Sequence, residues 1–348
     1  MPTPRDDRIV PVADTSSADF DGYADCRVLV TGGAGFLGSA LARRLVELGA
    51  RVTVIDAMLP EMGGNLFNLD GILDQLTFVN GDVRDEALVR REVAAAEVVF
   101  NLAGQISHLD SMENPRQDLE INCASQLSIL EACRKDNPAA RIVYSATRQQ
   151  YGRPQVLPID ERHPLLPIDV NGINKIAGEA YHLLYGKVYG LQASSLRLTN
   201  CYGPGQLIRH ARQGFVGWFV RLALEGKPID LFGDGTQMRD FTYVDDVVEA
   251  FLVAGRSDEA VGEAFNVGGG RPFSLKEFAG LLREVAGGAC EVRTKPFPQE
   301  RRRIDIGDAY LSSDKIRARL GWVPRVPLRE GLARTVAYYR TNLGRYLP

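Results

Sequence analysis

Short apolar segments alternate with amphipathic segments along the first 200 residues of the chain. Short runs rich in Val, Ile, Leu and Ala are typical of strands buried on both faces, and apolar residues three and four positions apart are typical of helices. This alternation predicts an α/β fold, a doubly wound parallel sheet with helices on both faces. The predicted strands are 27–30, 51–55, 76–79, 98–102, 141–144 and 193–198, and the long predicted helices are 116–135 and 175–189.

Beyond about residue 200 the apolar segments become shorter, and Pro, Gly and Arg become more frequent. We expect a sheet domain over residues 26–200, with a return to it at about 241–270. Residues 201–240 and 271–348 then form a smaller C-terminal α/β region that binds the substrate. Residues 1–25 have prolines and aspartates but no long apolar run, so we expect a flexible N-terminal tail there.

Composition narrows the possible partners of a chain of 348 residues that is 45% hydrophobic. Its 41 basic and 44 acidic residues give a net charge of −3, which predicts neither nucleic-acid nor membrane binding. No apolar run has the length of a signal peptide or a membrane span, so we expect a cytoplasmic protein. The five cysteines and four histidines are scattered, which favours neither a disulfide framework nor a metal site.

A glycine-rich segment lies between the first predicted strand and an amphipathic helix. Residues 31–38 read Thr-Gly-Gly-Ala-Gly-Phe-Leu-Gly, and Gly33, Gly35 and Gly38 fit the spacing G-x-G-x-x-G. In this motif the first glycine permits a tight turn, the second lets the backbone approach a pyrophosphate, and the third lets the helix pack on the strand. The next strand is followed by Asp56, whose carboxylate would accept hydrogen bonds from the adenosine ribose and repel a 2′-phosphate. The segment predicts a Rossmann-type site for NAD.

Further motifs follow in chain order: Gly81-Asp82-Val83, Asn101-Leu-Ala-Gly-Gln105, Tyr151-Gly152, Arg197-Leu-Thr-Asn200, Tyr202-Gly-Pro204, Arg239-Asp-Phe-Thr-Tyr-Val244 and Leu320-Gly-Trp322. With them, residues 26–340 resemble the extended short-chain dehydrogenase/reductase family, specifically its nucleotide-sugar epimerases and dehydratases. The resemblance implies that NAD is bound by Gly32, Gly33, Gly35, Phe36, Leu37, Gly38, Asp56, Asp82, Val83, Ala103, Gly104 and Lys175. It also implies that a nucleoside-diphosphate sugar is held by Gln105, Asn200, Arg239 and Arg303.

The catalytic segment departs from the family pattern. Members use a tyrosinate, activated by a lysine four residues later, to remove the proton of a sugar hydroxyl. Lys175 is present here, but Asn171 occupies the tyrosine position. An amide has no titratable proton near neutral pH and cannot act as a general base. Thr147 matches the family residue that hydrogen-bonds the reacting hydroxyl.

Several residues could replace the missing base. His108 follows the fourth predicted strand, in the loop that faces the substrate in this family, and histidine titrates in the working pH range. Lys175 could take the proton if burial lowered its pKa, and Thr147 could pass it through a water. The remaining candidates are Tyr181 and Tyr202, with Tyr151 expected to be a packing residue. The predicted catalytic set is Thr147, Lys175, Asn171 and His108.

The two residues after Thr147 bear on the type of reaction. Dehydratases of the family carry an Asp-Glu pair there and decarboxylases carry a Glu at the second place, whereas this chain has Arg148 and Gln149. The absence of both carboxylates favours an epimerase that works through a transient keto-sugar. The alternatives are a protein that binds NAD and a nucleotide sugar without turnover, and a dehydratase, decarboxylase or oxidase with a displaced base.

The resemblance further implies a homodimer in which the two long helices pair with their copies in a four-helix bundle. Ile129, Leu183 and Leu184 are apolar positions that could face such a partner.

Overall fold

A parallel sheet of seven strands forms the centre of the protein in the computed structural model, which describes residues 22–298 and 305–347. The strand order is β3-β2-β1-β4-β5-β6-β11, and every neighbouring pair is parallel. This confirms the predicted α/β fold. The strands are β1 (Arg27–Thr31), β2 (Arg51–Asp56), β3 (Thr77–Asn80), β4 (Val98–Asn101), β5 (Arg141–Thr147), β6 (Gln192–Leu198) and β11 (Ala264–Val267).

Helices cover both faces of the sheet because the strand side chains alternate between two apolar cores. In β1, Val28 and Val30 belong to the larger core, while Leu29 belongs to the other. The helices of this domain are α1 (Phe36–Glu47), α2 (Glu86–Val93), α3 (His108–Glu113), α4 (Pro115–Leu119), α5 (Ser125–Asp136), α6 (Val170–Tyr189) and α8 (Val244–Arg256). Strand order reverses between β1 and β4, and ligands bind at such a switch point in open α/β sheets.

The remaining strands form three two-stranded sheets, and the helix over Leu328–Asn342 packs against those over Phe215–Leu224 and Leu275–Val285. Parallel pairs join β7 to β10 and β8 to β13, and an antiparallel pair joins β9 to β12. Their bounds are β7 (Asn200–Tyr202), β8 (Ile229–Phe232), β9 (Met238–Arg239), β10 (Phe241–Tyr243), β12 (Phe273–Ser274), β13 (Val292–Lys295), α7 (Phe215–Leu224), α9 (Leu275–Val285), α10 (Asp314–Leu320) and α11 (Leu328–Asn342).

The long helix predicted at 116–135 is interrupted. Between α4 and α5, residues Glu120–Ala124 form a π-helical turn, which widens the helix by one residue. Asn122 lies in this turn and its side chain bonds the backbone of Gln105 on the loop after β4. The sequence periodicity could not show this widening because the apolar spacing is helical on either side of it.

Two further expectations need correction. Tyr23, which we assigned to the N-terminal tail, is fully buried and donates a hydrogen bond to the carbonyl of Leu252 in α8. Ile129 is buried in the core between α5 and the sheet, so it does not face a partner, whereas Leu184 on α6 is 49% exposed. The homodimer stays a prediction. Within residues 22–298 and 305–347, no helix combines the length and apolar composition needed to cross a membrane.

Candidate active site

The glycine-rich segment makes a tight turn between β1 and α1. The left-handed residue is Gly32, with φ +68°, and its N–H donates to the carbonyl of Ile55 at 2.8 Å. Gly33, to which we assigned the turn, is instead a packing position, because a Cβ there would lie 2.5 Å from Val54 Cγ1. Gly33 is not among the residues that line the cleft described below, and its predicted contact with the cofactor stays a prediction.

Gly35 and Gly38 bring the backbone of α1 close to the turn. A Cβ at Gly38 would lie 2.2 Å from the carbonyl oxygen of Gly32 and 2.7 Å from Gly33 Cα. These are backbone atoms, which cannot move aside as a side chain can. Gly35 is the N-cap of α1, and its backbone faces the cleft without a side chain in between. The N–H groups at this helix N-terminus therefore stay open to a phosphate.

Replacing Gly38 by alanine is expected to lower the free energy of unfolding by about 1–3 kcal/mol, because the added methyl overpacks the turn. It should also weaken NAD binding, because the turn must move to admit the methyl. Urea unfolding and titration with NAD measure the two effects. Gly280→Ala in α9 is the matched control, since nothing lies within 4 Å of a Cβ there. The control should gain about 0.5–1 kcal/mol. Unchanged NAD affinity in Gly38→Ala would contradict the role assigned to this glycine.

Asp56 ends β2 and holds the glycine turn. Its Oδ2 accepts a hydrogen bond from the N–H of Ala34 at 3.0 Å, and its Oδ1 accepts one from Met58 at 2.9 Å. Burial raises the pKa of this carboxyl, and the backbone hydrogen bonds oppose that rise. Further lone pairs on both oxygens remain for ribose hydroxyls. Asp82 lies on the same cleft, where hydrogen bonds from Arg84 lower the pKa of its carboxyl.

One cleft of about 320 Å³ joins the glycine turn to the predicted catalytic residues. Its size is within the range of ligand pockets in proteins. The bare backbone at Gly35 and the carboxylate of Asp56 fit a dinucleotide there. The predicted residues that line the cleft are Gly32, Gly35, Phe36, Leu37, Gly38, Asp56, Asp82, Val83, Ala103, Gly104, Gln105, His108, Thr147, Asn171, Lys175 and Asn200.

Lys175 is buried in α6 beside the loop after β4. Its Nζ donates to the carbonyl of Ser145 at 3.0 Å and lies 5.0 Å from the centre of the Tyr144 ring. Burial lowers the pKa of this ammonium to about 8. A Cβ at Gly104 would lie 2.9 Å from Nζ, so the absence of a side chain there gives the lysine its space.

Asn171 is buried one helical turn before Lys175, and its amide nitrogen donates hydrogen bonds to other residues of the protein. Its Nδ2 donates to the carbonyl of Gln105 at 2.7 Å and to Asp118 Oδ2 at 3.0 Å. The other carboxylate oxygen of Asp118 accepts from Asn174 at 2.8 Å. Asp118 is 1% exposed, so these two amides supply the hydrogen bonds that a buried carboxylate requires.

His108 is the first residue of α3, and both of its ring nitrogens have partners. Nδ1 bonds the carboxylate of Asp169, and Nε2 lies 2.8 Å from Nε2 of Gln149. Asp169 is the N-cap of α6, where its other oxygen accepts from Gly172. A carboxylate on Nδ1 fixes the tautomer that carries its proton there, which leaves the lone pair on Nε2. Nε2 faces Gln149 at the cleft.

The contact of His108 with Asp169 was missed by the sequence reasoning. The two residues are 61 positions apart, and the only local signal is that Asp169 precedes a helix, which is typical of an N-cap. Gln149 was noted only as a missing carboxylate. The Oε1 atom of Gln149 is buried and has no hydrogen-bond partner among the described residues, which is unfavourable. A proton on Nε2 of His108 would supply the missing donor.

The three tyrosines considered as replacement bases do not line the cleft. Tyr151 is fully buried and is held by Arg197 and Asn266, as expected of a packing residue. The hydroxyl of Tyr202 points to the carbonyl of Leu328, and Tyr181 packs against the core of the opposite sheet face.

A second cavity of about 180 Å³ adjoins the cleft on the side away from the glycine turn. It shares His108, Gln149 and Asn200 with the cleft and is also lined by Arg239. Burial lowers the pKa of the Arg239 guanidinium to about 10, and the charge of Arg148 adds to this effect. The predicted contact at Arg303, and the neighbouring Arg301 and Arg302, lie outside the described residues.

Comparison with known proteins agrees with this architecture. The sequence model of the "NAD dependent epimerase/dehydratase family" matches residues 28–268. UDP-glucose 4-epimerase of Mycolicibacterium smegmatis is 35% identical over 317 residues, which cover 91% of this chain and 99% of that protein.

Two solved structures are similar over most of the chain. UDP-glucose 4-epimerase of Thermotoga maritima, solved with UDP-glucose, is 34% identical and superposes with a TM-score of 0.83 over 91% of this chain and 99% of that one. UDP-glucose 4-epimerase of Thermus thermophilus, solved in complex with NAD, is 35% identical with a TM-score of 0.80 over 90% and 99% of the two chains.

Proposed function

Since the chain belongs to the NAD-dependent epimerase/dehydratase family and its cofactor is NAD, we propose that it epimerises a nucleoside-diphosphate sugar through a transient keto-sugar. The observation that carries the proposal is the single cleft that joins the glycine turn and Asp56 to Thr147, Lys175 and His108. A cofactor along the turn would place its reactive end beside these polar side chains.

The side chains that line the cleft beside Thr147 favour epimerisation over dehydration. Among the described residues that line the cleft, the acidic ones are Asp56, which ends β2, and Asp82, which follows β3. Elimination of water from a keto-sugar needs an acid and a base beside the ring, whereas epimerisation needs one group that removes and returns the same proton.

In the proposed reaction the glycine turn and Asp56 would hold NAD, which would supply the acceptor for the carbinol hydride and the donor that returns it to the opposite face of the keto group. Thr147, at the end of β5, hydrogen-bonds the reacting hydroxyl. We place Asn171 at the position of the family tyrosine, and His108 takes the hydroxyl proton on Nε2. Asp169 holds the ring by Nδ1 and stabilises the imidazolium that forms.

Gln149 supports this assignment because its amide can serve both states of the ring. As placed, it donates to the Nε2 lone pair of a neutral imidazole and leaves Oε1 buried without a partner. Rotation of the amide by half a turn would present Oε1 to an N–H on Nε2, which the imidazolium carries. The reacting hydroxyl must displace this amide before His108 can accept its proton.

Proton NMR tests the proposal on the purified protein with NAD and with UDP-, GDP-, CDP- and dTDP-linked hexoses and uronic acids. We expect a second anomeric signal for one of them, with no accumulation of NADH. Accumulating NADH would indicate an oxidase, and loss of water or carbon dioxide would indicate a lyase. Saturable binding of a nucleotide sugar with unchanged spectra would favour a binding protein without turnover.

A further inference from the structure

The side chain of Arg148 stands between the cleft and the second cavity and lines both. It is partly buried, and it forms no hydrogen bond or ion pair with any residue in 22–298 or 305–347. A guanidinium presents five N–H donors, and none of those of Arg148 is used by a residue in the described ranges. The group therefore has unused binding capacity at the place where the substrate is expected.

The acidic groups around this guanidinium are occupied by other partners. Asp169 bonds His108 and the backbone of Gly172, and Asp240 bonds Thr199 and the backbone of Leu311. These carboxylates, with Asp305 across the second cavity, offset the charges of Arg148 and Arg239 at longer range. They do not supply the paired oxygens that a guanidinium fork bonds, so an external oxyanion is the matching ligand.

The position of Arg148 indicates which oxyanion this is. Arg148 directly follows Thr147, which we place on the reacting hydroxyl, so its side chain reaches groups next to the reacting carbon of the sugar. In a hexuronic acid that reacts at C4, the carboxylate carbon lies two bonds from the reacting carbon. The backbone carbonyls of Met238 and Gly307 hold the guanidinium of Arg239, which also lines the second cavity. Arg239 thus has backbone partners of its own, whereas the guanidinium of Arg148 is left for a ligand.

We propose that the sugar of the substrate carries a carboxylate, as in a nucleoside-diphosphate hexuronic acid, and that Arg148 binds this carboxylate through its guanidinium fork. The inference rests on the proposed function. Arg148 thereby determines specificity for acidic over neutral sugars, and the diphosphate lies elsewhere in the cavity.

Calorimetric titration of the NAD-loaded protein tests this with two matched pairs, UDP-glucose with UDP-glucuronate and GDP-mannose with GDP-mannuronate, and with UDP and GDP alone. The wild type should bind the uronate of one pair about tenfold or more tightly than the hexose. Arg148→Gln should weaken uronate binding by about 10- to 100-fold and change hexose and nucleotide binding by less than about threefold. Arg148→Lys keeps the charge but not the fork and should fall in between.

Arg162→Gln is the matched control, because the side chain of that arginine is 91% exposed, is paired with Asp160 and does not line the cleft or the second cavity. Thermal unfolding of each variant checks that it folds. Equal loss of UDP, hexose and uronate affinity in Arg148→Gln would assign the residue to the diphosphate and overturn the inference. Equal wild-type affinity for hexose and uronate would also overturn it while leaving the proposed function intact. Failure of every nucleotide sugar to bind would overturn both.

Discussion

Replacing His108 by asparagine should lower kcat by about 10²- to 10⁴-fold, the usual loss when a positioned general base is removed. The asparagine amide can still donate to Asp169 in place of Nδ1, so α3 and the N-terminus of α6 should keep their contact. Affinity for NAD and for the nucleotide sugar should therefore stay within about threefold of wild type. Steady-state kinetics and binding titrations separate these two effects.

His210→Asn is the matched control for this experiment. His210 also pairs with a carboxylate, since its Nε2 lies 3.0 Å from Glu61 Oε2, but it does not line the cleft. Its replacement should leave kcat within about threefold of wild type. Asp169→Asn tests the positioning of the ring: it should lower kcat and leave KM nearly unchanged, because both oxygens of this carboxylate are bonded within the protein, to His108 and to the N–H of Gly172.

Lys175 is the alternative base, and pH dependence distinguishes it from His108. A lysine acts as a base only when neutral, and the pKa of Lys175 is about 8, so catalysis by its amine would rise as pH increases through 8. If His108→Asn keeps most of the wild-type kcat, and that activity rises through pH 8 and is lost in Lys175→Met, the proton goes to Lys175 and our assignment is wrong.

The part of the site that the sequence predicted is held by local structure. The glycine spacing and Asp56 lie at the ends of two adjacent strands whose apolar runs are plain in the sequence, so the fold alone brings them together. Even there, the residue with the left-handed backbone conformation is Gly32 and not Gly33, because Gly33 packs against Val54. The motif predicts the spacing of the glycines but not the structural role of each one.

The part that the sequence could not predict depends on contacts between distant segments. His108 meets Asp169 across 61 residues, and Asn171 meets Asp118 across 53. Neither contact has a periodic or composition signal, since each partner is a single polar residue at the edge of a helix. The π-helical turn that brings Asn122 to Gln105 also has no signal in the sequence, because one extra residue in a turn leaves the apolar spacing on both sides unchanged.

Asn171 shows how this limits a reading from motifs alone. In the proposed correspondence with the family pattern, Asn171 stands where a tyrosine is expected. In the structure it is a donor that satisfies a buried carboxylate and holds the loop carrying Gln105. The departure from the pattern thus coincides with a polar network in the same place, made of Asn171, Asn174 and Asp118. A base elsewhere, on His108, is compatible with this network, whereas a restored phenol is not.

Introducing tyrosine at position 171 should therefore destabilise the protein and should not raise its activity. The ring is larger than the buried amide, which costs about 1–3 kcal/mol for overpacking, and the lost donor leaves one oxygen of Asp118 unpaired at about 1–3 kcal/mol more. Urea unfolding should show a fall of at least about 2 kcal/mol in the free energy of unfolding. NMR of the sugar substrate measures the activity.

Two further variants separate the causes of that fall. Asn174→Ala removes the other donor of Asp118 without adding volume, so it should show the polar loss alone. Adding Asp118→Asn to Asn171→Tyr removes the unpaired charge and should recover part of the stability, while the overpacking remains. If Asn171→Tyr instead folds as stably as wild type and gains activity tenfold or more, the pocket still accepts a phenol beside Lys175. The amide would then be a simple loss of the family base, and the case for His108 would fall with it.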